Sequence, residues 1–395
     1  MLLDIFIITT IFIAGFEIKF FFRKLLDAND RKVLNLLWLY HVVISLTFIA
    51  YVSQSGGDAL GYWFNVKHFE AYDLNYYYSL GIGTTFMYVI NYFPSKILEL
   101  SFMTGSFLYA FLGYVGILLF YIIFKQKAAS QVRLFGVKLF PYLFFLPNLH
   151  FWSSGIGKDS ILFFCIAVFF YGMLRPRKHL VSMVLVLLLS YFIRPHITFF
   201  LLISFGLGFV LDGKLRSYQK ILLLLPLFLI LVFSLQNVLT YLRIEDLDFN
   251  SLNNFAEDKV LKLSRSHTDS AIDLSNYPYP LKVFTFLYRP LFFDINGVLA
   301  IFASVENLIL LVLTLRLLRA NPFKLFRKSD YFFKSMLIFF LLGTLSFSLI
   351  LGNLGIMLRQ KNMFIPALLF ICLWSFSKQL KIREAVHSKT KETVL

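Results

Sequence analysis

Charged residues are scarce in this chain, and their scarcity excludes a soluble fold. Asp, Glu, Lys and Arg together make up 15% of its 395 residues, whereas 58% are hydrophobic, and the mean hydropathy is +0.73. A soluble globule of this length needs far more polar surface to face water. The composition therefore predicts an integral membrane protein.

Cysteine is equally rare. Cys165 and Cys372 are the two in the chain, and both lie in apolar runs, so neither a disulfide framework nor a cysteine metal site is indicated. We expect no metal and no cofactor. The stretch 151-FWSSGIGKDS-160 approaches a nucleotide phosphate loop, but that pattern needs glycine in place of Trp152 and Ser or Thr in place of Asp159.

Acidic residues number 22 against 38 basic ones, which gives a net charge of +16. Such an excess is also found in proteins that bind nucleic acid. In a multi-pass membrane protein, however, basic loops hold the topology and meet anionic lipid head groups. We therefore expect membrane lipid, and no nucleic acid, as the partner of this charge.

Apolar stretches predict an all-α polytopic membrane protein with about 11 transmembrane helices, within a range of 10 to 12. The stretch 79–94 is apolar but short and broken by glycine, so it predicts a re-entrant or interfacial helix on the outer face. The predicted spans cover residues 2–22, 33–53, 99–124, 134–150, 159–173, 179–193, 197–211, 221–241, 297–318, 331–351 and 363–378.

Basic residues fix the predicted orientation, because short loops rich in Lys and Arg stay in the cytoplasm. With eleven spans, every basic cluster falls on one face, which places the N-terminus outside and the C-terminus in the cytoplasm. Two long outer loops follow, at about 54–98 and 242–296. The sequence thus predicts a single transmembrane domain over 1–378 and a basic cytoplasmic tail over 379–395.

Polar motifs on the predicted outer face each have a structural explanation. Lys158 or Arg289 alone could extend to the head groups, and Asp159 could cap the helix that follows it. His196 could be a satisfied interfacial histidine, and the tryptophans an aromatic belt.

Four basic residues nevertheless recur in turns at the outer ends of the predicted spans, namely Lys158, Arg194, Arg289 and Arg359. Ionisable groups at membrane depth are costly and usually functional, and arginine suits phosphate oxygens. If these four converge, they form a pocket for a lipid-linked phosphate or diphosphate.

Aromatic and acidic residues on the same face indicate sugar chemistry. Flat aromatic faces beside hydrogen-bonding acids are what a sugar site uses, and Trp63 and Trp152 are the candidates. Transfer of a glycan needs a base for the acceptor hydroxyl and positive charge for the leaving phosphate. We predict Asp58 as that base, because it lies in a Gly-Gly-Asp turn, with Asp159 and His196 as further catalytic candidates.

Several motifs carry a family resemblance: Gly-Gly-Asp followed by Tyr62-Trp63, the string HFWSSGIGKDS, Arg194-Pro195-His196, LYRPLF followed by SVEN, and NLGIMLRQKNMFIPALL. Together they resemble bacterial oligosaccharide repeat-unit polymerases of the Wzy type, which make O-antigen and exopolysaccharide, and their relatives in the large polytopic GT-C-like glycosyltransferase superfamily. One difference is that typical polymerases carry their arginines in two large periplasmic loops, whereas only 242–296 is clearly large here.

The resemblance implies polymerisation or transfer of polyprenyl-diphosphate-linked oligosaccharide at the outer face of the bacterial cytoplasmic (inner) membrane. Arg194, Arg289 and Arg359 would then hold the diphosphate of the undecaprenyl carrier. Other polysaccharide-assembly proteins are further candidate partners. The alternative is a transporter or flippase for an anionic or lipid-linked substrate, in which the same arginines line a path.

Overall fold

The computed structural model describes residues 1–68, 73–128, 132–212, 216–222, 276–295, 297–319 and 322–393, with a few single residues between 224 and 274. Within these residues the fold is almost entirely helical. The packing divides into two compact units inside the predicted membrane domain. Unit 1 comprises residues 1–122, 145–201 and 236–243, and unit 2 comprises 123–144, 202–235 and 244–395.

Several helices of the first half of the chain begin at a capping residue or a proline. Asp27 caps helix α2 through a reciprocal pair of bonds with Asp30, and Pro147 and Pro176 open α7 and α9. These helices are α1 (Leu2–Glu17), α2 (Ala28–Ser55), α3 (Asp58–His68), α4 (Leu74–Ser79), α5 (Thr84–Asn91), α6 (Phe102–Lys127), α7 (Pro147–Phe151), α8 (Lys158–Met173), α9 (Pro176–Ile193) and α10 (Pro195–Leu211).

Helices of the second half follow the same rule, since Asp330 and Asn353 cap α14 and α15. They are α11 (Tyr279–Tyr288), α12 (Val298–Leu318), α13 (Pro322–Lys328), α14 (Tyr331–Ile350), α15 (Leu354–Lys361) and α16 (Ile365–Thr393). The backbone of α16 continues through the predicted tail. Helical turns of other types lie at Ile18–Phe22, Tyr92–Ile97, Tyr142–Phe145 and Phe292–Asp294.

Seven described helical segments are long and apolar enough to cross a bilayer, which confirms an all-α, multi-pass membrane architecture. They are Leu2–Phe22, Ala28–Ser55, Phe102–Lys127, Pro176–Ile193, Val298–Leu318, Tyr331–Ile350 and Ile365–Ile382. Two further predicted spans coincide with α8 and α10, which have 16 and 17 residues. The predicted span 221–241 lies mostly outside the described residues. The count of eleven and the orientation stay predictions.

The predicted span 134–150 is wrong. Strands β1 (Arg133–Leu134) and β2 (Val137–Lys138) form a hairpin there, followed by a short 3-10 turn and the five-residue α7. Phe135 and Gly136 join the strands with φ of 49° and 82°, the left-handed pair that a tight two-residue hairpin needs. Pro141 and Pro147 then interrupt any continuous helix. Hydropathy alone does not register these breaks.

The outer loop predicted over 54–98 is largely helical. It holds α3, α4, α5 and the π-helical turn Tyr92–Ile97, so the predicted re-entrant stretch 79–94 is a set of short helices. Ser95 anchors this layer, because its hydroxyl donates to the carbonyl of Trp63 at 2.7 Å. The Trp63 ring in turn packs on α6.

Candidate anion-binding sites

The polar cluster of unit 1 forms where α9 ends and three helices begin. Lys158 and Asp159 are the first two residues of α8, Arg194 follows the last residue of α9, and Thr84 opens α5. The backbone joins two of these points, since the N–H of Gly83 donates to the carbonyl of Phe192 at 2.8 Å. Helix N-termini carry partial positive charge, so the elements that build this place favour an anion.

An ion pair and a lysine define the charge of this cluster. Arg194 Nη1 lies 3.1 Å from Asp159 Oδ1, and their side chains are 11% and 4% exposed. Lys158 Nζ donates to the hydroxyl of Thr84 at 2.9 Å, and Lys158 is 7% exposed. Lys158 is thus buried and does not extend to the head groups. Among the residues that the structure describes, the cluster holds two cations and one carboxylate, and all three side chains are largely shielded from solvent.

His196 belongs to the same cluster. It lies two residues after Arg194 in the first turn of α10, and the positive charges of Arg194 and Lys158 both act on it. The residue as a whole is half-buried, but both ring nitrogens are shielded from solvent. Its ring faces Phe200 at a centroid distance of 6.1 Å. The structure therefore brings together four predicted site residues, Lys158, Asp159, Arg194 and His196.

The turn Ser153–Gly157 places the start of α8 inside unit 1. His150 hydrogen-bonds His41 near the middle of α2 at 2.9 Å. The hydroxyl of Ser45 donates to the carbonyl of Ser154 at 2.8 Å, and Gly155 packs on the ring of Phe48. Phe48 lies seven residues, or about 10 Å, before the end of α2. Non-helical backbone inside a span is tolerated where side chains satisfy it.

Glycines allow this turn to fit. A Cβ at Gly155 would lie 1.9 Å from the Phe48 ring, and a Cβ at Gly113 of α6 would lie 1.8 Å from the carbonyl oxygen of Ser153. Ser160 closes the turn, since its hydroxyl donates to the carbonyl of Gly155 at 2.6 Å. Gly155 of the GIGKDS motif therefore serves close packing of the turn against α2.

Three further predicted site residues of unit 1 are Asp58, Trp63 and Trp152, and they differ in how far each is exposed. Asp58 is exposed at the start of α3. Trp63 is fully buried, and its ring packs so tightly on Gly105 that a Cβ there would lie 2.4 Å from it. A sugar does not reach that ring in this structure. Trp152 is half-buried and meets Phe151 edge-on.

Arg289 anchors a second polar region, in unit 2. Its guanidinium grips Asp294 through two bonds, Nε to Oδ2 at 3.0 Å and Nη2 to Oδ1 at 2.5 Å, and stacks over Phe293. Burial alone would raise the pKa of Asp294, but the bonds from Arg289 and the Leu291 N–H outweigh it and lower that pKa. The hydrogen bond from Asp294 likewise raises the pKa of Arg289. This arginine is held rigidly.

Lys361 is a buried cation that was not among the predicted phosphate-binding residues. It is 1% exposed, and its Nζ donates to the carbonyl of Leu287 at 3.1 Å and to Asn307 Oδ1. Asn307 Nδ2 donates in turn to the carbonyl of Pro290 at 2.7 Å. These bonds fall on both sides of Arg289. Lys361 and Asn307 therefore clamp the turn that presents this arginine.

Further polar side chains are buried in unit 2 together with Lys361. Glu306 is 2% exposed and lies eight residues, or about 12 Å, inside α12. Burial lowers the pKa of Lys361, and the charge of Glu306 opposes that shift. Asn362, 1% exposed, has no hydrogen-bond partner for its side-chain amide within the described residues.

Arg359 is half-buried on α15, two residues before Lys361. Residues two apart on a helix point to different faces, so a single sequence does not show which of the two basic residues turns inward. The motif itself, Arg359-Gln360-Lys361, was the available signal. Glu306 was the other signal, because it interrupts an apolar run.

No protein-family model, curated protein or solved structure matches this chain. The resemblance to glycan polymerases therefore stays a prediction. What carries a functional argument is the geometry of the two polar regions, each taken by itself.

Proposed function

We propose that this chain is a membrane glycosyltransferase or glycan polymerase that acts on a polyprenyl-diphosphate-linked oligosaccharide at the outer face of the bacterial cytoplasmic membrane. One observation carries the proposal: Lys158 and Arg194 are buried together at the start of α8, with Asp159 between them. Two basic side chains at a helix N-terminus are what a phosphate or diphosphate group requires.

The residues of unit 1 divide the work. Lys158 and Arg194 bind the diphosphate and stabilise the charge that develops on it. Asp159 holds Arg194 in place and remains its counter-ion. His196 is the general base, because it lies two residues after Arg194 at the start of α10 and a neutral imidazole ring can accept the proton of the acceptor hydroxyl.

The chemistry balances as a substitution at the anomeric carbon. The acceptor hydroxyl oxygen forms the new glycosidic bond, its proton passes to His196, and the bond from the anomeric carbon to the diphosphate oxygen breaks. The diphosphate leaves with the bonding electrons and keeps its contacts with Lys158 and Arg194. Asp58, Arg289 and Arg359 stay predictions as further catalytic and phosphate-binding residues, and Trp152 as a sugar contact.

The direct test is the length distribution of surface polysaccharide on a gel. Cells would carry the intact chain, a deletion, Arg194→Lys, His196→Gln or the control Arg177→Gln, which alters an exposed residue of α9. We expect single repeat units in the deletion and in both site variants, and normal length in the control. Long polymer from the Arg194 and His196 variants at normal protein level would refute the proposed site.

A binding measurement separates the carrier from the sugar. Purified full-length protein in detergent would be titrated with undecaprenyl diphosphate, and we expect about tenfold or greater loss of affinity in Arg194→Lys, because lysine cannot reproduce a two-pronged contact. His196→Gln should bind normally, since that residue acts on the acceptor.

A transporter or flippase is the second candidate function, and the buried Lys361 region favours it. Glu306 lies about 12 Å inside α12, and its charge acts on the buried Lys361 of α15. Buried ionisable groups of this kind often mark transport paths. Loss of all surface glycan on deletion, rather than a change in chain length, would support this function instead. Lys361→Met and Glu306→Gln would then block movement of a labelled lipid-linked substrate in vesicles.

A further inference from the structure

A lysine-rich cavity lies in unit 2, at the start of α14, whereas the Arg289 and Lys361 region of the same unit follows the end of that helix. Its volume is about 340 Å³, which falls within the range of about 300–1,000 Å³ typical of ligand sites. Its described lining consists of Gln126, Lys127, Lys328, Asp330, Trp374, Ser377, Lys378 and Lys381. This is the face predicted to be cytoplasmic.

The charge of this lysine pocket is strongly unbalanced. Four of its described lining residues are lysines, and Asp330 is the only carboxylate among them. Asp330 is already committed, since it accepts from Lys127 at 2.9 Å and caps α14 at the N–H of Phe333. Gathering like charges raises the free energy of the folded chain unless an anion joins them.

The remaining groups suit a lipid head group. Lys378 lies over the Trp374 ring with its Nζ 5.4 Å from the centroid, and Ser377 adds a hydroxyl. Trp374 lies within the span Ile365–Ile382, whereas Lys381 is near its end, so the pocket straddles the membrane boundary. Tryptophan with lysine at this level is the pattern of the head-group region, and basic pockets there hold lipid phosphates.

We propose that this pocket binds the phosphate of an anionic phospholipid head group. The ammonium groups of Lys328, Lys378 and Lys381 contact the phosphate oxygens, Ser377 donates a hydrogen bond, and Trp374 covers the glycerol region. The bound lipid fastens α13, α14 and α16 of unit 2 at this end. The proposal does not depend on what the unit 1 cluster does.

The test uses the full chain in detergent and a triple variant, Lys328→Gln with Lys378→Gln and Lys381→Gln. These three side chains are exposed, so the variant keeps the fold and the Lys127–Asp330 pair. The control, Lys24→Gln with Lys32→Gln and Lys178→Gln, removes the same charge from exposed positions outside the pocket. Native mass spectrometry would count retained phosphatidylglycerol, and its affinity would be titrated against phosphatidylcholine.

We expect the intact chain and the control to retain phosphatidylglycerol in preference to phosphatidylcholine, and the pocket variant to bind it roughly tenfold to hundredfold more weakly, since each lysine near such a surface contributes about 1 kcal/mol. Equal weakening in the control would refute the pocket, because the effect would follow net charge alone. Inorganic phosphate that displaces the lipid at equal concentration would refute the lipid as the ligand and assign a soluble anion.

Discussion

The Arg194–Asp159 ion pair of unit 1 gives the sharpest prediction, because both partners are buried and 3.1 Å apart. Arg194→Met leaves the Asp159 carboxylate buried without its cation. Asp159→Asn removes the carboxylate that pairs with Arg194 and lies next to Lys158 in the chain. Breaking a buried pair by removing one partner costs about 3–5 kcal/mol, so each single variant should lose about that much stability.

The double variant, Arg194→Met with Asp159→Asn, should recover most of this loss. Replacing both partners removes one charge of each sign and leaves the net charge of the cluster unchanged, and such a paired replacement is often close to neutral for stability. The two changes should therefore couple by about 2 kcal/mol or more. Binding of undecaprenyl diphosphate should not recover, because the guanidinium is absent. The double variant should therefore regain thermal stability without regaining affinity for undecaprenyl diphosphate.

Thermal inactivation of the detergent-solubilised chain, followed by size-exclusion chromatography, is the suitable assay, since membrane proteins commonly unfold irreversibly. The single variants should lose about 5–10 °C in apparent Tm, at about 2 °C per kcal/mol for a large chain. A double variant whose loss equals the sum of the two single losses would show that the ion pair does not hold α8 and α9 together.

Three further predictions follow from single contacts. Gly113→Ala should lower the free energy of unfolding by about 1–3 kcal/mol through overpacking, because the new carbon would lie 1.8 Å from the Ser153 carbonyl oxygen. The control Gly61→Ala meets nothing nearer than 3.7 Å and should change that free energy by no more than about 0.5 kcal/mol. Lys361→Met should cost about 2–4 kcal/mol by stranding its buried acceptors, and an unchanged Tm would contradict the clamp. The pKa of Asp294 in the folded chain is lowered from the ordinary value of 3.8, so the Arg289–Asp294 ion pair stabilises the fold above pH 3.8, and this stabilisation is lost as pH falls through the lowered pKa. Asp294→Asn should therefore make stability depend less on pH at the acid end. A pH profile of stability that is the same in this variant and in the intact chain would contradict the contribution of the ion pair.

Hydropathy predicted most of the described spans, since a run of about 20 apolar residues has few ways to satisfy its backbone in lipid other than a helix. It was wrong at 134–150, where Phe135-Gly136 makes a tight turn and two prolines interrupt the helix. Hydropathy is averaged over about 20 residues, whereas a single glycine or proline is enough to interrupt a helix, so the average does not detect the interruption.

The candidate site was predicted in part. Lys158, Asp159, Arg194 and His196 were named from their turns, and the structure brings these four together. Trp63 was named for sugar binding, yet it is fully buried. Lys361 was passed over in favour of Arg359. Burial of an individual side chain depends on which neighbour fills the space above it, and that neighbour is distant in sequence.

The amino-acid composition is sufficient to place this protein in a membrane. Its shortage of charge and its long apolar runs require a bilayer, and its lysines and arginines gather in the turns between those runs. Which of those turns are buried follows from the packing of the folded chain. The small residues of the turn 153–157 let it pack against α2 and α6, so α8 starts inside unit 1, where the side chains of Lys158 and Arg194 are largely removed from water. In unit 2, lysines line an open pocket instead. The physical reason is that desolvation depends on contacts across the fold, which residue type and local spacing do not specify.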